Sequence, residues 1–167
     1  MTILQSAIGT SNGGGYDIVD AASAIEGAFD TVSLKDALLG ADSVAYEGDE
    51  TGKADLSATE YLALKGSVTH TATDFTISDS PANIDGATLT TSDYTAVHSV
   101  TAVVESGDKV LTSYTNLAAR VDSIDLDSNT DVTVDVDQAG LVTGTGTYDV
   151  SDTASAIEGA FDTVSLK

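Results

Sequence analysis

The residues best suited to chemistry are Asp125, Asp127, Asn129 and Asp131, one oxygen ligand at every second position. A hard cation such as Ca²⁺ takes six to eight oxygens, and alternate ligands from one loop are how a chain supplies several. Two departures from the EF-hand pattern stand out: Thr130 replaces the turn glycine, and Val136 occupies the place of the bidentate glutamate. On a flat strand the same side chains form a solvated acidic face, and the pattern favours that reading over calcium. A second acidic turn holds Glu47, Asp49, Glu50 and Asp55, with Gly48 and Gly52 allowing tight curvature but no regular ligand spacing. Calcium is thus the one cofactor the sequence offers.

The remaining reactive side chains point elsewhere. Asp20, Asp79 and Asp152 each close a strand-like stretch and are expected as helix N-caps accepting backbone N–H bonds. His70 and His98, the only histidines, belong to no spaced ligand set and are expected to line a strand or the surface. No Gly-x-Ser-x-Gly elbow, Walker loop or complete dinucleotide fingerprint occurs, and Gly144-Thr145-Gly146 reads as a turn. With 27 acidic residues, close carboxylate pairs arise by chance and do not argue for a glycosidase. No enzyme is expected.

Composition narrows the partners. Against those 27 acids stand 6 Lys and Arg, for a net charge of −21. That field repels nucleic-acid phosphates and anionic lipid, favours cations and costs self-repulsion. There is no Cys, hence no disulfide, thiolate site or Cys nucleophile. No apolar run nears the roughly 20 residues of a membrane span. Met1 to Gly15 lack the basic-then-apolar pattern of a signal peptide and are expected as a flexible lead-in ending in Ser11-Asn12-Gly13-Gly14-Gly15. The chain is 41% apolar, no disordered acidic tail, but only 5% aromatic, which suits thin regular layers.

These groups must be positioned by a repeat. Tyr16–Lys35 and Tyr148–Lys167 differ at three of 20 positions, and their last 14 residues are identical. A diverged third copy begins at Asp74, with Phe75, Ile77, Asp79, Ile84 and Gly86 in register with Tyr16, Ile18, Asp20, Ile25 and Gly27. A second unit type opens on a Ser and a β-branched residue at Ser43-Val44, Ser99-Val100 and Ser123-Ile124. Units therefore start near 16, 42, 74, 98, 122 and 148 within one domain, 16–167. A period of about 25 residues lies in the range of solenoids and arrays. The longer step from 42 to 74 carries an insertion around Ser67 to Thr73.

Each unit opens on a short β-branched stretch and continues with helix-like spacing. Ser57-Ala58-Thr59-Glu60 is a capping box ahead of Tyr61-Leu62-Ala63-Leu64, with Gly66 as the stop. Ala24, Ile25, Ala28 and Phe29 share one helical face, as do Leu117 and Val121. Strand followed by helix predicts an α/β fold, a solenoid-like stack of strand–helix units with parallel strands. The alternation sustained from Ile124 to Asp137 reads as one long strand or a hairpin broken at Ser128-Asn129. Were such hairpins general, the fold would be an all-β repeat or sandwich. Tyr16, Phe75 and Tyr148 fill one slot in three units, which argues for core stacking.

The stretches Asp20–Ile25, Asp79–Ile84 and Asp152–Ile157, with Leu56-Ser57 through Leu64, resemble the tandem repeats of very large bacterial surface and secreted proteins. These are common in cyanobacteria and proteobacteria and are described as repeat-containing or haemolysin-type (RTX-like). The resemblance spans most of residues 16 to 167. It implies an exported, extracellular or cell-surface protein serving adhesion, surface layers or motility. The Gly-Gly-x-Gly-x-Asp nonapeptide of calcium rolls is absent. Two functions follow: a non-catalytic structural repeat of a surface layer or filament that self-associates head to tail, or a calcium-dependent adhesin module binding carbohydrate or a surface protein.

Overall fold

The computed structural model describes residues 9–10, 15–46, 53–106 and 109–162. In chain order the elements are β1 (Gly9–Thr10), β2 (Tyr16–Asp20), α1 (Ala22–Phe29), α2 (Val32–Leu39), β3 (Ser43–Tyr46), β4 (Ala54–Leu56), α3 (Ala58–Ser67) and β5 (Thr69–His70). There follow β6 (Phe75–Asp79), α4 (Pro81–Gly86), α5 (Thr91–Ala96), β7 (Ser99–Val104), β8 (Lys109–Val110), β9 (Ser123–Leu126) and β10 (Asp131–Val134). The last are α6 (Val136–Ala139), β11 (Val142–Gly144), β12 (Thr147–Val150) and α7 (Ala154–Asp162). The fold is mixed α/β with parallel sheets and seven α-helices among the described residues, so an all-β architecture is excluded.

The chain divides into two compact units, Met1–Ser78 with Thr88–Ser99, and Asp79–Ala87 with Val100–Lys167. In the first, β2, β3 and β5 lie side by side in parallel, and β4 pairs in parallel with β6. Strand β1 pairs antiparallel with Tyr16-Asp17, inside the segment expected as a lead-in. Parallel neighbours need a crossover of a dozen or more residues. Helices α1 and α2 provide it between β2 and β3, and α3 carries the chain from β4 to β5. In the second unit β9 lies between β7 and β11, and β10 between β8 and β12, all in parallel.

Local chemistry fixes the short helices. Ser57 and Glu60 form the reciprocal box that starts α3, which runs through Gly66 and ends at Ser67. Thr90 with Asp93 and Asp135 with Gln138 make two more such boxes, and Ser80 caps α4 ahead of Pro81 at its first turn. The stretch Ile124–Asp137 is neither one strand nor a hairpin. It breaks at a turn over Asp127–Thr130 into β9 and β10, which belong to different sheets, and Asp135 then opens α6. Leu117 and Val121 are buried, but in successive turns closed by Leu117 N–H to Tyr114 O, Arg120 N–H to Leu117 O and Val121 N–H to Leu117 O.

Inward positions of paired strands form apolar columns. In the first unit Ile18 faces Val44, Ala54 faces Phe75 and Leu56 faces Ile77, all buried. Leu38, Tyr61, Leu64, Leu89 and Tyr94 complete that core. In the second unit Ala102 and Ile124, then Val104 and Leu126, repeat the arrangement, with Leu111, Leu117, Val132 and Val134 buried beside them. The shared aromatic slot is not uniformly a core position. Phe75 is fully buried, the Tyr16 hydroxyl donates to the Ala37 carbonyl, and Tyr148 is 40% exposed.

Candidate functional site

The outward faces of the parallel pairs carry a recurring arrangement. Ser43 Oγ donates to Asp17 Oδ1 at 2.6 Å, and the two residues are register partners of β2 and β3, 26 positions apart. Thr76 Oγ1 donates to Asp55 Oδ1 at 3.0 Å between β6 and β4, 21 positions apart. Thr147 Oγ1 donates to Asp131 Oδ1 at 3.1 Å between β12 and β10, 16 positions apart. The same rung between β7 and β9 joins Thr101 and Ser123 through their hydroxyls at 3.2 Å. Like charges directly opposite each other destabilise a strand pair, whereas hydroxyl hydrogen bonds across it contribute roughly 0.2–1 kcal/mol. Among the described register partners no acidic residue faces another. The described strand pairs of a chain of net charge −21 thus set hydroxyl or apolar residues, not carboxylates, opposite their carboxylates.

The alternate acidic residues are not brought together. Asp125 is exposed on β9, facing Val103 on one side and Thr143 on the other. Asp127 starts the turn, where its Oδ1 accepts from the Ser128 N–H at 2.6 Å and from Ser128 Oγ at 3.2 Å. Asn129 Nδ2 reaches Ser128 Oγ at 3.4 Å, and Asp131 sits on β10 receiving Thr147. Between them Thr130 is buried, its hydroxyl donating to the Val104 carbonyl at 3.2 Å, so the turn is pinned inward. Among the described residues no three His, Cys, Asp or Glu side chains gather into a group that could hold a metal ion. Glu47, Asp49 and Glu50 lie outside the described residues; Asp55 lies on β4, where its N–H donates to Glu26 Oε1 at 2.7 Å.

The aspartates expected as caps act one position ahead of the capping residues; Asp20 and Asp79 end β2 and β6, whereas Asp152 lies two residues beyond β12. Asp20, Asp79 and Asp152 each accept the N–H of the following residue, at 2.8, 2.7 and 2.6 Å. The capping hydroxyl, where one exists, belongs to that next residue: Ser80 Oγ accepts from Asn83 N–H, and Thr153 Oγ1 from Ala156 N–H. Asp152 also accepts from Val136 N–H at 3.3 Å, which ties the start of α7 to the start of α6.

Several polar groups with no place in the sequence argument organise the fold. The single arginine, Arg120, donates through Nη1 to the Ile84 and Asp85 carbonyls at 2.8 and 2.7 Å, at the C-terminal end of α4. A cation there satisfies end carbonyls and complements the helix dipole. Gln138 is buried and donates to the Leu111 carbonyl at 3.0 Å. Its Asp135-x-x-Gln138 spacing was a readable signal, being that of a capping box. Lys65 Nζ meets Asp93 Oδ1 at 2.5 Å. That bond, together with the Thr90 cap, holds the Asp93 carboxyl below its ordinary value, against an opposing effect of burial. Burial, and then the Asp93 charge, push the Tyr61 phenol up.

His70 lines a strand, as expected. Its ring lies edge-on to Tyr61 and to Phe75, each 5.6 Å between centroids, and its Nδ1 is 3.1 Å from the Val68 carbonyl, to which it can only donate. His98 is exposed, and its backbone N–H donates to the Phe75 carbonyl at 2.9 Å. These side-chain hydrogen bonds serve strand register, helix ends and turns. In comparisons with protein-family models, curated proteins and solved structures, the chain matches none.

Proposed function

We propose that the chain is a non-catalytic structural element of an extracellular or cell-surface protein, a stack of short strand–helix coils whose partners are further coils of the same kind. One observation carries the reading: a Ser or Thr hydroxyl meets an Asp carboxylate at the register pairs Asp17–Ser43, Asp55–Thr76 and Asp131–Thr147. A rung repeated between successive passes of the chain is what a quasi-one-dimensional stack requires, because each coil then needs only its neighbours. Carboxylates committed to hydroxyls serve the stack better than they serve cation capture. The location outside the cell rests on the resemblance to surface-protein repeats.

Excision in whole register steps tests this reading. Removing residues 17–42 joins Tyr16 to Ser43 and replaces Asp17–Asp20 by their β3 partners, Ser43–Tyr46. In a stack the shortened chain folds and unfolds cooperatively, while removing half as many residues from the same region disrupts the fold. Loss of folded structure in both deletions would count against stacking. A melting midpoint raised by many degrees with calcium, and lowered again by chelator, would move the protein to the adhesin class.

A further inference from the structure

The hydroxyl–carboxylate rungs settle only the nearest neighbours on a sheet. Asp131 faces Thr147 and Asp149 faces Thr133, yet the two aspartates stand diagonally across the same β10–β12 pair. The spacing of strands and the rise of two residues put such positions about 8 Å apart. Further carboxylates are exposed at Asp36 on α2, Asp125 on β9 and Asp137 on α6. The cations do little to offset them. Lys35 and Lys53 each hold Nζ 5.8 Å from the centroid of an aromatic ring, that of Phe29 and that of Tyr46. Arg120 gives its Nη1 to the Ile84 and Asp85 carbonyls, while Lys65 meets Asp93. Neither compact unit can neutralise the other. The first holds 13 acidic and 3 basic residues and the second 14 and 3, for net charges of −10 and −11.

How far this charge acts depends on salt. A folded unit of roughly 80–90 residues has a radius of gyration of about 12 Å. The screening length is about 30 Å at 0.01 M salt and about 8 Å at 0.15 M. In dilute solution every carboxylate of a unit therefore repels every other across it, whereas at 0.15 M each feels its near neighbours. Unfolded, the same length of chain spreads its charge over a radius of about 29 Å, so the repulsion weighs on the folded state and salt relieves it.

We infer that the fold carries an ionic-strength switch: each unit reaches full stability only where dissolved salt shortens the reach of its charge below its own radius. The ligand in this sense is the diffuse atmosphere of monovalent cations, and dilution loosens the chain. The inference is separate from the stacking reading, which the whole-step deletion decides.

Thermal unfolding of the full chain, followed by circular dichroism at constant pH, tests it in NaCl and in choline chloride. The melting temperature is expected to rise by about 10 °C or more between 0.01 and 0.15 M. The rise is equal in the two salts, because choline screens as sodium does but is too bulky and too weakly ligated to fill a metal site. Asp36→Lys with Asp125→Lys changes two exposed positions that no rung or helix cap uses and takes the net charge from −21 to −17. That variant is expected to melt several degrees above the parent at 0.01 M and to lose most of the advantage at 0.15 M. A melting temperature independent of salt overturns the inference, and so does a rise in NaCl that choline chloride does not reproduce. An advantage of D36K/D125K that is equal at both concentrations also overturns it, because local helix and strand preference would then account for the gain.

Discussion

Ile25 and Ile157 occupy the same place in two identical stretches of sequence, so their truncation to alanine isolates packing from everything local. Ile25 is fully buried on α1. Losing three carbons there costs about 2.5 kcal/mol of transfer free energy at roughly 0.8 kcal/mol per methylene. The cavity adds about 1–2 kcal/mol, since α1 is held against α2 and β4 and cannot collapse freely. Ile157 is partly exposed beside Phe161, which is 53% exposed, so no closed cavity forms and only part of the transfer term is lost. The expected costs are about 4 kcal/mol for Ile25→Ala and about 1 kcal/mol for Ile157→Ala. Urea unfolding followed by far-ultraviolet circular dichroism, with the slope of each variant compared to the parent, reads both. Equal losses, or a larger loss at 157, would show that the two copies are packed alike and would refute the reasoning.

Three further predictions concern single features. Gly144→Ala destabilises by more than about 1 kcal/mol, because Gly144 has φ +87° and an added Cβ would lie 2.8 Å from the Leu126 nitrogen; an unchanged thermal midpoint would contradict this. Ser57→Ala costs about 1 kcal/mol through the capping box of α3, and Glu60→Gln restores nothing in that background, since the hydroxyl is missing; a helix signal that melts as in the parent would contradict it. Asp93 is held below its ordinary value of 3.8, so its contribution to stability is present above that pH and is lost as the pH falls through the lower, folded-state value. Asp93→Asn removes this acid-side loss and also lowers the titration midpoint of Tyr61, whose phenol is raised first by burial and then by the Asp93 charge. Ultraviolet titration of tyrosinate checks the second effect.

Much of the framework is readable from residue type. Strands begin at Tyr16, Ser43, Phe75, Ser99, Ser123 and Thr147, where β-branched or aromatic residues open each unit. The Ser57–Glu60 box starts α3 because its four residues satisfy each other locally, with no distant partner required. What escapes the sequence depends on register. Asp17 meets Ser43 across 26 positions and Asp131 meets Thr147 across 16, so no fixed period connects the two pairs. The alternation from Ile124 to Asp137 conceals a break because Asp135 and Val136 keep its parity while opening a helix. Leu117 and Val121 have helical spacing, yet the Leu117 carbonyl serves a turn. The acidic residues 125–131 look like one ligand set only while they are imagined on one element; the buried Thr130 separates them. Identical copies at 25 and 157 cannot announce different burial, since that is decided by what lies next to each.

Paired cysteines measure the parallel register of the strands most directly. Thr101→Cys with Ser123→Cys places two thiols at register partners whose hydroxyls stand 3.2 Å apart. This pair is expected to oxidise within the monomer and to raise the melting temperature. Thr101→Cys with Asp125→Cys, two positions out of register, is expected to stay reduced under the same conditions. Equal oxidation of the two pairs, or preference for the second, would mean that β7 and β9 are not paired in this register and that the Thr101–Ser123 rung does not exist.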